Sequence, residues 1–210
     1  MDIVYGTGNS AKVENMRKII SEENLDIKFE MLKDIGFDEE IVEDRETFEE
    51  NSEIKARAIE KYCKNKGISN KIIITDDAGL CVDKLNGEPG IYTARYAGEH
   101  PTQIENLNKL LEKMKNFTDL KDRTATFVCV LTAIDLNSGE KIVAKGECNG
   151  RIAKEYKKLG GLTYAPVFIP EGFDVPMLDI DDSKDVEVYK HRYSAMKEMI
   201  KEFKKRSFLG

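Results

Sequence analysis

The chain has 210 residues, 40% hydrophobic and 34% charged, and its 33 basic and 39 acidic side chains leave a net charge of −6. That composition excludes a disordered chain and a disulfide-dependent miniprotein, because a domain of this length buries roughly 70% of its unfolded surface. The acidic balance argues against a broad nucleic-acid or membrane surface, and no apolar run approaches the roughly 20 residues of a bilayer span.

Ile3–Tyr5 predicts a strand rather than the apolar core of a secretion signal, so a cytoplasmic protein is expected. After the break at Gly6-Thr7-Gly8-Asn9, the spacing of Val13, Met16, Ile19 and Ile20 predicts a helix. Ile27–Leu32 predicts a second strand, followed by an acidic stretch from Asp38 to Asp44. Thr47 with Glu50 three residues on resembles a capping box, opening a helix that should stop at Gly67. Lys71–Thr75 is a β-branched buried strand expected to end at Asp76-Asp77, and Asn86–Gly90 is turn chemistry. Ile104–Met114 should be an amphipathic helix, and Thr124–Asp135 with Lys141–Asn149 a hairpin turning at Asn137-Ser138-Gly139. Glu187–Lys205 predicts a last helix. Strands alternating with helices, plus one hairpin, mean an α/β fold with a mixed sheet. The scattered Cys63, Cys81, Cys129 and Cys148 and only two histidines point to reduced thiols, not to a disulfide frame or a zinc site.

Three places ask for chemistry. Gly6–Lys12 joins a strand to a helix, where backbone N–H groups and a helix N-terminus suit an anion and Lys12 adds a cation. The same residues would also serve as a tight turn with a solvated lysine; they form neither a Walker loop nor a dinucleotide fingerprint. Asp76-Asp77, at the expected carboxyl end of a buried strand, supplies hard oxygen donors suited to Mg²⁺ with phosphate. The alternative there is a turn capped by an aspartate. Gly160-Gly161-Leu162-Thr163-Tyr164-Ala165-Pro166 offers a loop open to a flat ring, and His191-Arg192 could reach a base edge or phosphate, although such a pair is more often helix surface. The run Asp179, Asp181, Asp182, Asp185 lacks the glycine of a calcium loop and reads as a solvated connection. Together these features point to a nucleoside phosphate.

At this point the chain resembles the inosine/xanthosine triphosphate pyrophosphatases, which clear non-canonical purine nucleotides. Thr7-Gly8-Asn9-Ser10-Ala11-Lys12 looks like their T-G-N-x-x-K loop, and Glu43 with Thr47-Phe48-Glu49-Glu50-Asn51 and Lys55-Ala56 resembles a second segment. The most distinctive block is Thr75-Asp76-Asp77-Ala78-Gly79-Leu80, continuing through Gly87–Gly98. The resemblance implies one elongated, two-lobed α/β domain over residues 1–210, built on a long mixed sheet flanked by helices, and a homodimer. It implies Mg²⁺-dependent hydrolysis of ITP-, dITP- or XTP-like substrates to the monophosphate and pyrophosphate. Thr7, Gly8, Asn9, Ser10, Ala11, Lys12 and Lys55 would hold the phosphates, and Glu43, Asp77 and Asp76 would hold the metal. Asp77 would be the base, and Ala78 would sit near the substrate. Leu162, Thr163, Tyr164, Ala165, His191 and Arg192 would lie on the base side. There the chain departs from the family's G-F-G-Y-D-P, with Leu162 in place of the stacking ring and Ala165 in place of the carboxylate. Val186 and Lys190 stand where the family has a lysine and a serine. Altered base selectivity is therefore expected. A nucleotide-binding regulator without turnover is the alternative reading; a Nudix hydrolase fails on spacing, with Ser52 where its glycine should be.

Overall fold

A computed structural model describes residues 2–23, 25, 27–180 and 190–206, without the side chains of Ser10 and Ala11. The aspartates expected at 181, 182 and 185, Val186 and the start of the last helix lie outside the described residues.

The elements run β1 (Asp2–Tyr5), α1 (Ser10–Glu22), β2 (Lys28–Met31), α2 (Phe48–Lys66), β3 (Lys71–Val82), α3 (Gln103–Lys113), β4 (Thr124–Asp135), β5 (Lys141–Ile152), β6 (Phe168–Pro170) and α4 (Lys190–Lys205), with short 3-10 turns between. The six strands form one sheet in the order β2-β1-β3-β4-β5-β6. β1 is parallel to both β2 and β3, whereas β6 is antiparallel to β5. The fold is thus α/β with a mixed sheet flanked by helices. Among the described residues no helix is long and apolar enough to cross a membrane.

Local chemistry sets α2 as expected. Thr47 Oγ1 accepts from the Glu50 N–H at 3.1 Å, and Gly67 ends the helix at φ 68°, a left-handed conformation that glycine adopts without steric cost. β3 corrects the sequence expectation, because it continues through Asp76-Asp77 to Val82. Its partner β1 stops at Tyr5, level with Ile74. Both aspartates therefore lie past the carboxyl end of β1, beside the Gly6–Lys12 loop. The crevice anticipated from an ended strand is made instead by a neighbour that ends.

The chain divides into two compact units. The first comprises Met1–Asp77, Cys129–Gly146 and Arg192–Gly210, with Val4, Ala56, Ile59, Ile73 and Ile134 packed in its core. The second comprises Ala78–Val128 and Glu147–His191, with Leu80, Leu107, Phe127, Tyr164 and Phe168 in its core. In the second unit, Arg123 is 2% exposed, and its guanidinium donates to the carbonyls of Ile152, Met114, Phe117 and Ala153 at 2.7–3.0 Å. A planar fork of donors suits four converging carbonyls; a point-like ammonium does not. Arg123→Met should cost about 2–4 kcal/mol, because buried carbonyls lose their partners. Arg123→Lys should recover little of it. Urea denaturation checks both, and a loss below about 1 kcal/mol would refute the staple.

Candidate active site

The turn from β1 into α1 is built for close approach. A side chain at Gly6 would meet Thr75 Cγ2 at 2.5 Å and Ile59 Cδ1 at 2.6 Å, so only glycine lets the loop seat on β3 and α2. Thr7 Oγ1 accepts from the Asn9 N–H at 3.1 Å, and Asn9 Oδ1 accepts from the Lys12 N–H at 3.4 Å. These side chains order the first turn of α1. Lys12 is not a solvated lysine: its ammonium reaches back to Asp76 Oδ2 at 2.9 Å.

Asp76 is 1% exposed and fully engaged. Oδ1 accepts from the Tyr5 hydroxyl at 3.0 Å, while Oδ2 faces Lys12 and, at 3.7 Å, Arg192. Burial alone would raise its pKa, but Lys12, Arg192 and Lys55 outweigh burial and hold the carboxyl well below the usual range. Asp77 is in the opposite state. Burial pushes its pKa from 3.8 up to about 6; Lys55 opposes this, while the negative charges of Glu43 and Asp76 add to it. Lys55, itself buried, holds Glu43 Oε2 at 2.8 Å. A cavity of about 220 Å³ opens among Gly6, Thr7, Gly8, Lys12, Glu43, Lys55 and Asp76. All of these residues belong to the first unit.

The expected site residues thus fall into groups. Thr7, Gly8, Lys12, Lys55, Glu43 and Asp76 line one cavity, with Asn9 ordering its loop and Asp77 next in the chain. Asp76, expected as a metal ligand, has both oxygens occupied by Tyr5, Lys12 and Arg192, which makes it a support for the two cations. Arg192, expected at the helix surface, is 4% exposed and turned to Asp76. In the second unit, His191 stacks on Phe127 with ring centroids 5.1 Å apart. Ala78 is half-buried. Leu162 packs on the core, and Tyr164 and Ala165 lie within it, with the Tyr164 hydroxyl donating to Thr93 O at 3.1 Å. Burial of Tyr164 and Ala165 therefore gives them a packing role rather than open contact surface. Two residues escaped the sequence reading. Tyr5 had a signal, a hydroxyl in a buried strand that needs a partner. Gln103, which holds the Gly160 loop, had none.

Two carboxylates of contrasting proton affinity, two lysines and a glycine turn at a helix N-terminus are the equipment of a hydrolase acting on a phosphate ester or anhydride. The chain belongs to the Ham1 family, whose model matches residues 3–202. It is 45% identical over 169 residues to a Clostridium perfringens protein named dITP/XTP pyrophosphatase, covering 80% of this chain and 81% of that one. A Bacillus subtilis protein of the same name is 36% identical over 200 residues, covering 95% and 96%. The Staphylococcus aureus Ham1 protein structure superposes with a TM-score of 0.80 at 32% identity, covering 98% of this chain and 100% of that one.

Proposed function

We propose that this chain is a Mg²⁺-dependent pyrophosphohydrolase of non-canonical purine nucleoside triphosphates, releasing the monophosphate and pyrophosphate. On this reading residues 1–210 act as one domain, in the cytoplasm and as a homodimer. The reading is carried by one observation: the protonatable Asp77 in the same unit as the charge pairs Lys12–Asp76 and Lys55–Glu43. The names of the relatives support the substrate class.

The donor chemistry fits the metal. Glu43 and Asp77 offer hard oxygens, and Mg²⁺ is commonly held by one or two carboxylates with phosphate and water supplying the rest. Among the described residues no larger cage of carboxylate, His or Cys side chains is gathered, which suits a cation that arrives with its substrate. When bound, the cation supplies charge neutralisation and Lewis-acid polarisation of the phosphates. The protein's own part is orientation and proton transfer. Lys55 neutralises Glu43 in the pair as it stands; with substrate bound, Glu43 would hold the cation and Lys55 would be free to meet a phosphate oxygen. Lys12, fixed by Asp76, presents a charge-assisted donor to the phosphate tail. Asp77, a carboxylate whose burial and whose neighbours Glu43 and Asp76 raise its proton affinity, takes the proton of the attacking water. With the tail gripped by Lys12 and the α1 N-terminus, attack falls at the α-phosphorus. Leu162, standing in place of the family's stacking ring, shifts base selectivity from that of the family.

The deciding experiment incubates the chain with ITP, XTP, GTP and ATP, with and without Mg²⁺. Monophosphate and pyrophosphate in equal amounts, abolished by a chelator, are expected. A diphosphate with orthophosphate, or binding without turnover, would overturn the proposal.

A further inference from the structure

Residues 37–45, which carry Glu43, have no regular secondary structure. Side chains of α2 tie them to that helix, all within the first unit. At one end the Tyr62 hydroxyl donates to the Gly36 carbonyl at 2.6 Å, and its ring meets Phe37 edge-on with centroids 5.1 Å apart. Further along, Lys55 holds Glu43 Oε2 at 2.8 Å. At the other end is Asn51, 1% exposed. Its Oδ1 accepts from the Arg45 N–H at 3.0 Å, and its Nδ2 donates to the Arg45 carbonyl at 3.4 Å. A side-chain amide offers donor and acceptor side by side, so Asn51 serves Arg45 as a neighbouring strand would. Asn51 and Lys55 stand four residues apart on α2, and the residues they hold, Arg45 and Glu43, stand two apart. Four residues of helix rise about 6 Å and two residues of extended chain span about 6.6 Å, so both attachments close together.

We propose that Asn51 is a positioning residue for the cation: it keeps the Glu43 segment in place when that carboxylate leaves Lys55. The inference rests on the reading that Glu43 and Asp77 hold Mg²⁺. Of the ties to α2, the Lys55–Glu43 pair is the one that a bound cation takes apart. A carboxylate released on an irregular segment gains backbone and side-chain freedom, and a cation that binds it must order it again. Asn51 removes that cost. Its bonds go to the main chain of Arg45, so they persist whichever partner Glu43 has. Its burial keeps water from competing for them. Groups that orient a metal ligand without touching the metal commonly control affinity in this way.

The test compares the parent with Asn51→Ala and with Asn51→Leu, which removes the same bonds while refilling the volume. Two Mg²⁺ titrations are read: the rise in melting temperature without nucleotide, and the turnover of saturating ITP. In both variants the Mg²⁺ concentration for half-effect should rise about tenfold in each titration, while KM for ITP at saturating Mg²⁺ stays within about twofold. A Glu43→Gln background separates positioning from general loosening. There the half-effect concentration is already raised, and adding Asn51→Ala should change it by less than about twofold. An unchanged Mg²⁺ requirement in the single variants, or a full further loss in the Glu43→Gln background, overturns the inference. If Asn51→Ala does not fold, Asn51→Leu decides in both backgrounds. Glu43→Gln with a parental Mg²⁺ requirement refutes instead the assignment of Glu43 to the cation, and that variant is measured first.

Discussion

Asp77→Asn should lower turnover by a factor of roughly 10²–10⁴ and yet make the metal-free chain more stable above neutral pH. The loss follows from removing both the proton acceptor and one of the two oxygen donors proposed for the cation. The gain follows from the same burial that tunes the group. In the folded chain the Asp77 carboxyl ionises at about 6 instead of 3.8, because burial and the charges of Glu43 and Asp76 outweigh Lys55. A raised carboxyl stabilises the fold fully below its unfolded value, and that contribution is lost as pH rises through the folded value. Above that pH the parent carries an unfavourable charge worth roughly 1–3 kcal/mol, at about 1.4 kcal/mol per tenfold in proton affinity. Asparagine keeps the shape and never ionises. At about pH 8 without metal, the variant should melt higher by roughly 2–4 °C per kcal/mol, and the difference should shrink towards pH 4. Adding Mg²⁺ should raise the melting temperature of the parent and leave the variant nearly unmoved. A variant with parental turnover would remove Asp77 from the chemistry. One that melts lower at every pH would show that burial does not strain the ionised group.

How far the sequence anticipates this structure depends on whether the cause is local. α2 was readable at both ends because Thr47 and Gly67 act on the helix backbone within a few residues. The hairpin of β4 and β5 was readable for the same reason, since Asp135 binds the Asn137 and Ser138 N–H groups of its own turn. The length of β3 was not. Asp76, Asp77, Ala78 and Gly79 interrupt an apolar run, and they stay in the strand beyond the end of β1 because β4, β3's other neighbour in the sheet, lies alongside, a partner that the segment itself does not display. The site divides similarly. Glu43, Lys12 and Asp77 were visible through motifs that resemble a family. The geometry that gives two adjacent aspartates opposite proton affinities was hidden, because Tyr5, Lys12 and Arg192 reach Asp76 only through the tertiary fold. Arg192 looked like helix surface because nothing in its neighbourhood announces a buried counter-charge 116 positions away, the distance in sequence from 76 to 192.

That hidden geometry predicts opposite outcomes at neighbouring residues: where Asp77→Asn stabilises, Asp76→Asn should destabilise by about 3–5 kcal/mol, the usual cost of removing one partner from a buried ion pair. Asparagine can still accept from the Tyr5 hydroxyl, so the hydrogen bond survives and the lost element is charge. Lys12, 24% exposed, can turn towards solvent. Arg192, 4% exposed, cannot, and its guanidinium is left without the carboxylate that compensates its burial. The pH dependence also runs the other way. A depressed carboxyl contributes stability that is present above its unfolded value of 3.8 and is lost as pH falls through its folded value, well below that. The deficit of Asp76→Asn should therefore be constant from about pH 5 upwards and close only in acid. A double-mutant cycle with Arg192→Met isolates the pair: removing both charges should cost less than the sum of the single losses by about 1–3 kcal/mol. Strict additivity, or a single-mutant loss below about 1 kcal/mol, would mean that Asp76 and Arg192 do not depend on each other. Turnover should separate the two aspartates as well. Asp76→Asn should raise KM through a Lys12 no longer held in place, whereas Asp77→Asn acts on kcat.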